Sequence, residues 1–284
     1  MSATVVDEWI AFSDGYQVFT KTWKVDKPVA DFVIFHGFGE HCARYEELCQ
    51  RLAAEGVQCH GIDERGFGET AKKHHSFGNN QGYDIALKDV NETVNRVKQD
   101  NVPLFVYGHS MGGGLLLNYL ARTFDGVSKI TGAIASAPLV RLQTPVPALK
   151  YYPLKMASYV LPSMTTRSPL DASFMSHDPE EVQKYISDPL VNDFISLGTA
   201  RSILEEGENI LQVASRVQRP ILFSHGTGDM VNSYDASKLA FDKVSSSDKQ
   251  FKSWKDLKHE LHLERQPERE QVIQCYIDWV KAHL

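Results

Sequence analysis

Short apolar or alternating runs recur along the chain, at Val5–Phe12, Gln17–Trp23, Asp31–Phe35, Val57–Ile62, Leu104–Tyr107, Ile130–Ala135, Ile221–Phe223 and Gln250–Trp254, and each predicts a strand. Between the later runs the spacing becomes helical. Tyr45, Leu48, Leu52 and Ala53 fall on one face and are followed by Gly56, suited to the left-handed position that ends a helix. Leu87, Val90, Val94 and Val97 repeat the pattern, as do Val272, Tyr276, Trp279 and Val280. Strand alternating with helix from about residue 30 predicts an α/β fold: a mostly parallel central sheet flanked by helices, led by an antiparallel pair at the N-terminus.

The rhythm fails between about residues 139 and 213. Eight of the twelve prolines lie at positions 138 to 189, and between Thr144 and Met164 only Lys150 and Lys155 are charged among Leu149, Tyr151, Tyr152, Leu154, Met156, Tyr159, Val160 and Leu161. Structureless segments of that length are rare in compact domains. Residues 139–213 are therefore expected to form an inserted helical cap, with 1–138 and 214–284 as the core. Its apolar side chains either pack the insertion onto the sheet or present a greasy surface to substrate or membrane.

Charge and composition narrow the function. Thirty basic against thirty-six acidic residues give a net charge of −6 with no Lys/Arg-rich run, which removes the electrostatic footprint of a nucleic-acid binder. Cysteines at 42, 49, 59 and 275 have neither zinc-site spacing nor disulfide density, so reduced thiols in a cytoplasmic setting are expected. Asp7 and Glu8 fall where a secretory peptide needs a basic, then apolar, start. Residues 101–121 lack Asp, Glu, Lys and Arg, but Gly108, His109, Ser110, Gly112, Gly113, Gly114 and Asn118 interrupt the continuity that a membrane span requires.

That uncharged run holds the chemistry. Leu104–Tyr107 leads into Gly108-His109-Ser110-Met111-Gly112 and then a helical segment, so Ser110 occupies a glycine-flanked strand-to-helix bend that frees its hydroxyl. Serine needs a histidine base and a carboxylate to orient it. Among eleven histidines, His259 follows the strand Gln250–Trp254, and Asp229 lies in the loop after Ile221–Phe223. Both sit at the strand ends where open α/β sheets place ligands, in the chain order Ser, Asp, His. His225 and His109 are rival bases, the first in a strand-end turn, the second inside the bend. For the oxyanion, the loop His36-Gly37-Phe38-Gly39 offers the backbone N–H of Phe38, and Met111 offers another.

The runs His36-Gly37-Phe38-Gly39-Glu40-His41-Cys42-Ala43-Arg44-Tyr45-Glu46-Glu47-Leu48, Gly108-His109-Ser110-Met111-Gly112-Gly113 and Tyr185-Ile186-Ser187-Asp188-Pro189-Leu190 resemble the monoacylglycerol lipases of the α/β-hydrolase superfamily, from Trp9 to Trp279. The resemblance implies the α/β-hydrolase fold with a cap, Ser110 as nucleophile, Asp229 as acid, His259 as base, and Phe38 and Met111 as the oxyanion hole. It also implies that Glu40, Arg44, Tyr185 and His262 read the glycerol end of the substrate. Cysteines that some animal members carry are Asn192 and Asn232 in this chain. Cys42, beside the oxyanion loop, is expected to be a small half-buried side chain rather than a reactive thiol.

The expected activity is that of a serine hydrolase cleaving monoacylglycerols to fatty acid and glycerol, with no metal or cofactor. Its partners are expected to be such a single-chain lipid ester and, through the cap, a membrane or lipid-droplet surface. Two alternatives stand beside it: an esterase or lysophospholipase for other single-chain lipids, and a catalytically silent hydrolase fold that binds lipid. Serine at position 110, where epoxide and haloalkane hydrolases carry aspartate, argues against those reactions.

Overall fold

The computed structural model describes residues 3–284. Its strands are β1 (Thr4–Ala11), β2 (Gln17–Lys24), β3 (Ala30–Phe35), β4 (Val57–Ile62), β5 (Leu104–His109), β6 (Gly132–Ser136), β7 (Thr165–Arg167), β8 (Phe194–Ser196), β9 (Ile221–Gly226) and β10 (Lys249–Trp254). Its helices are α1 (Glu46–Ala54), α2 (Gly68–His74), α3 (Tyr83–Val97), α4 (Met111–Leu120), α5 (Ala148–Val160), α6 (Pro179–Ser187), α7 (Leu197–Val213), α8 (Tyr234–Lys243) and α9 (Glu268–Lys281). All eight sequence-predicted strands form, and they make one sheet in the order β1-β2-β4-β3-β5-β6-β9-β10.

β1 and β2 pair antiparallel and β2 runs antiparallel to β4, whereas every pair from β4 to β10 is parallel. Every residue of β3, β5, β6 and β9 is buried, which is why those strands read as unbroken apolar runs: helices cover both faces. One face packs Val33, Val106 and Phe223 against α3, α4 and α8; the other packs Phe32, Tyr107 and Leu222 against α1 and α9. Each large apolar side chain so buried contributes roughly 1.5–3 kcal/mol.

The chain leaves β3 toward β4 on one side and leaves β5 toward β6 on the other. The carboxyl ends of β3 and β5 therefore flank the switch point where such sheets open a crevice. Between β6 and β9 the chain leaves the sheet to form α5, the antiparallel pair β7–β8, α6 and α7 before returning. Among the described residues no helix is long and apolar enough to cross a membrane. The uncharged run at 101–121 is instead buried strand β5 and buried helix α4.

Candidate active site

Ser110 joins β5 to α4 with φ of +52° and ψ of −114°. A left-handed conformation costs an L-residue about 1–3 kcal/mol, so the surroundings must hold it. They do so through the backbone: Ser110 N–H donates to Ser136 O (3.0 Å), and its carbonyl accepts from Leu139 N (2.8 Å) and Gly114 N (3.0 Å). A Cβ on Gly108 would lie 2.3 Å from Gly112 O, and one on Gly112 2.3 Å from Phe35 O, so only glycine permits this approach of strand, helix and neighbouring strand end.

The Ser110 hydroxyl lies 2.9 Å from Nε2 of His259, whose Nδ1 lies 2.7 Å from Asp229 Oδ2. Three separate strand ends thus converge. Asp229 is fully occupied: Oδ1 accepts from the N–H groups of Val231 (2.7 Å) and Asn232 (2.9 Å), and Oδ2 also accepts from His225 Nε2 (3.0 Å). Burial alone raises the Asp229 carboxyl, but the His259 charge and the hydrogen bonds from both histidines outweigh it and hold it well below the usual carboxylate range. Burial disfavours the His259 imidazolium, and Asp229 more than offsets this, leaving His259 above the usual imidazole value.

The rival histidines are accounted for differently. His225 is completely buried and bonds Asp229 and Ser237 Oγ (2.9 Å), not Ser110. The His109 ring lies 4.8 Å from that of His259, and burial followed by the His259 charge pushes it well below the usual imidazole value.

The loop after β3 packs on the serine bend, with Gly112 N donating to His36 O (3.1 Å). The backbone N–H groups of Phe38 and Met111 carry no intramolecular hydrogen bond among the described residues, which leaves both free for a ligand. Glu40 is buried and braces the loop: Oε1 accepts from Gly37 N (2.5 Å) and the Tyr45 hydroxyl (2.7 Å). Arg44 Nε donates to Glu40 Oε2 (3.1 Å), and its Nη2 donates to both oxygens of Glu260 (2.7 Å each). Burial raises both carboxyls. The facing guanidinium brings Glu40 below its usual value, while Glu260, which also feels the Glu40 charge, stays above.

Tyr185 stacks over the Arg44 guanidinium at 5.1 Å, so Glu40, Arg44 and Tyr185 do come together. His262 is buried and stacks on Tyr45 at 4.6 Å, with neither ring nitrogen partnered among the described residues. Sequence reasoning missed Glu260. It follows His259 directly, but nothing in its spacing marks a return to Arg44. Cys42 is fully rather than half buried, and burial and then the neighbouring Asp63 push its thiol well up, away from reactivity.

A cavity of about 290 Å³ opens at Ser110 and is lined largely by apolar side chains, among them Phe38, Leu139, Leu154, Ile195, Leu204 and Val231. Glu40, Arg44, Tyr185 and His262 are not among its lining residues. A larger open groove, about 920 Å³, runs along β10 and α9 and does not include Ser110. α5 is apolar on two sides. Leu149, Tyr152, Met156 and Val160 face outward and are 91%, 62%, 67% and 79% exposed, while Tyr151 and Leu154 line the cavity. The segment between β6 and β9 also touches the site: Phe174 O and Met175 O accept from the N–H groups of His259 (3.3 Å) and Glu260 (2.8 Å), and Gly39 O accepts from Asn192 N (2.9 Å).

The family described as "Serine aminopeptidase, S33" matches residues 26–266. The monoglyceride lipase of Mus musculus is 30% identical over 286 residues, covering 96% of this chain and 89% of that protein. The monoacylglycerol lipase of Mycolicibacterium smegmatis is 29% identical over 295 residues and is covered, like this chain, over 100% of its length. Among solved structures, a soluble variant of monoglyceride lipase from Saccharomyces cerevisiae, in complex with a substrate analog, superposes with a TM-score of 0.89 at 23% identity, covering 100% of this chain and 96% of that one. That last likeness speaks for the fold; the sequence matches go further, and by them the chain belongs to the monoacylglycerol lipase family of the α/β-hydrolase superfamily.

Proposed function

We propose that the protein hydrolyses monoacylglycerols to fatty acid and glycerol, with Ser110 as nucleophile, His259 as base and Asp229 as the carboxylate that orients it. The observation that carries this reading is the series of two hydrogen bonds, 2.9 and 2.7 Å, ending in a serine that lines an apolar cavity. Ser110 Oγ attacks the ester carbonyl as its proton passes to His259 Nε2, and Asp229 stabilises the imidazolium. The carbonyl oxygen, now negative, takes hydrogen bonds from the N–H groups of Phe38 and Met111; one such donor is worth about 2.7–4 kcal/mol in the transition state. Collapse expels glycerol, which takes the proton from His259. Water then attacks the acyl carbon and gives a proton to His259, which passes it to Ser110 Oγ as the fatty acid is freed.

The acyl chain occupies the 290 Å³ cavity, and residues 139–213 act as the cap that closes it. Burial of ten methylenes contributes roughly 8 kcal/mol, but mono- and diacylglycerols offer the same chain, so selectivity belongs to the other end. There both His262 nitrogens have no partner among the described residues, and with the Tyr185 hydroxyl and the Arg44 guanidinium they supply the donors and acceptors that free glycerol hydroxyls need. A site built for hydroxyls rejects an esterified one by up to ~10⁴. The outward stripe Leu149, Tyr152, Met156 and Val160 rests the cap on a membrane or lipid-droplet surface, from which a sparingly soluble substrate is taken.

A fluorophosphonate probe tests the nucleophile. Covalent label on Ser110, abolished in His259→Ala, is expected; absence of label on the folded wild-type protein contradicts the mechanism.

A further inference from the structure

Asn232 lies three residues past Asp229 and is 1% exposed. Its backbone is pinned twice, by its N–H to Asp229 Oδ1 (2.9 Å) and by an antiparallel bridge to Leu142. Its carboxamide Nδ2 donates to Ala137 O (2.8 Å) and to Ser110 Oγ (3.3 Å). A carbonyl only accepts, so Ala137 fixes which end of the amide faces the serine. Ser110 Oγ therefore has two polar neighbours of opposite role: His259 Nε2, which takes its proton, and Asn232 Nδ2, which offers one. Oδ1 of the same amide is buried, with no partner among the described residues, so the side chain's polar contacts are Ala137 O and Ser110 Oγ alone.

We propose that Asn232 is a further catalytic residue, whose amide N–H stabilises charge on Ser110 Oγ chiefly in the second half of the reaction. The proposal rests on Ser110 being the nucleophile. In that half, water has added to the acyl carbon and its proton resides on His259. The bond from acyl carbon to Oγ then breaks, the electron pair goes to Oγ, and the imidazolium proton follows it. Only interactions stronger in the transition state than in the ground state accelerate a step. The free serine hydroxyl already accepts the Asn232 hydrogen bond before attack, so little is gained during acylation. The acyl-enzyme differs, because an ester oxygen is a weak acceptor and becomes a strong one as it departs.

Single-turnover kinetics with a p-nitrophenyl ester separate the halves, since p-nitrophenolate release reports acylation and loss of the acyl mass reports deacylation. For Asn232→Ala, deacylation is expected to slow about tenfold, the size of one hydrogen bond to a developing charge, with acylation slowed less than about threefold. Asn232→Ser, which retains a hydroxyl donor, is expected to recover part of the rate and guards against a folding defect in the alanine variant. Equal slowing of both halves, or no slowing of deacylation, in variants that melt as wild type overturns the role of Asn232. An acyl mass on a residue other than Ser110 overturns instead the nucleophile on which it rests.

Discussion

Oδ2 of Asp188 lies 2.9 Å from Nε2 of His41, and this fastens the turn after α6 to the loop that carries Phe38. Asp188 Oδ1 meanwhile accepts from Leu190 N (2.9 Å), so one carboxylate both shapes the turn and holds the loop. The Ser-Asp-Pro-Leu run thereby acquires a physical role. Asp188→Ala is expected to lower kcat about tenfold with little change in KM, because the proposed oxyanion donor, Phe38 N–H, loses its support while the proposed acyl cavity does not. The double variant with His41→Ala should cost no more than the larger single loss, which steady-state kinetics on all three proteins checks.

Two histidines share the Asp229 carboxylate, but only His259 reaches Ser110. His259→Ala is expected to lower kcat by as much as ~10⁶, as triad losses do in comparable enzymes, and His225→Ala by far less. As the proposed base, His259 works only when neutral, so kcat/KM is expected to fall as pH drops through its pKa. Asp229 holds that pKa above the ordinary imidazole value, so the acid limb is expected to lie above about 6.5. Asp229→Asn removes the stabilising charge; the limb should move to lower pH and kcat fall by about 10⁴. A pH–rate profile of each variant reads both effects.

The two sides of α5 give separable outcomes. Replacing Leu149 and Met156 with Ser on the outer stripe is expected to weaken liposome co-sedimentation and long-chain turnover while sparing a short soluble ester. Leu154→Ser, on the cavity wall though 38% exposed, should lower turnover of long-chain esters in detergent as well as on liposomes.

Arg44 and its neighbours separate framing of the site from the proposed reading of glycerol. Arg44→Ala leaves Glu40 and Glu260 buried without their counter-charge and is expected to cost about 3–5 kcal/mol, read as a drop in denaturation midpoint. Tyr185→Phe should leave stability nearly intact, whereas His262→Ala empties a buried position stacked on Tyr45 and is expected to cost about 2–4 kcal/mol, so its kinetics are read on protein shown to be folded. Both are expected to lower kcat/KM for monoacylglycerol more than for a p-nitrophenyl ester of equal chain length, which carries no glycerol.

The parallel sheet was legible because strands covered on both faces must be apolar throughout, and Ser110 because the bend at Gly108 and Gly112 admits no side chain. The strand-end positions of His259 and Asp229 likewise placed them where they meet Ser110 in series. What stayed hidden depends on tertiary approach alone. Glu260 meets Arg44 across 216 positions of sequence, and β7 and β8, three residues each, exist only by pairing with each other. The facing of α5 was hidden for another reason: with apolar residues on two sides, and Pro153 within it, no polar stripe marks which leucine looks outward. Leu149 and Leu154 look equivalent in sequence and are not in space.

The most direct measurement is kcat/KM for a monoacylglycerol, the matching diacylglycerol and triacylglycerol, and a lysophospholipid of the same chain, with released fatty acid and glycerol both counted. One fatty acid and one glycerol per monoacylglycerol, a preference for it over the other three, and loss of all turnover in a folded Ser110→Ala are expected. Equal or faster cleavage of the lysophospholipid, or turnover that survives Ser110→Ala, would contradict monoacylglycerol hydrolysis at this serine.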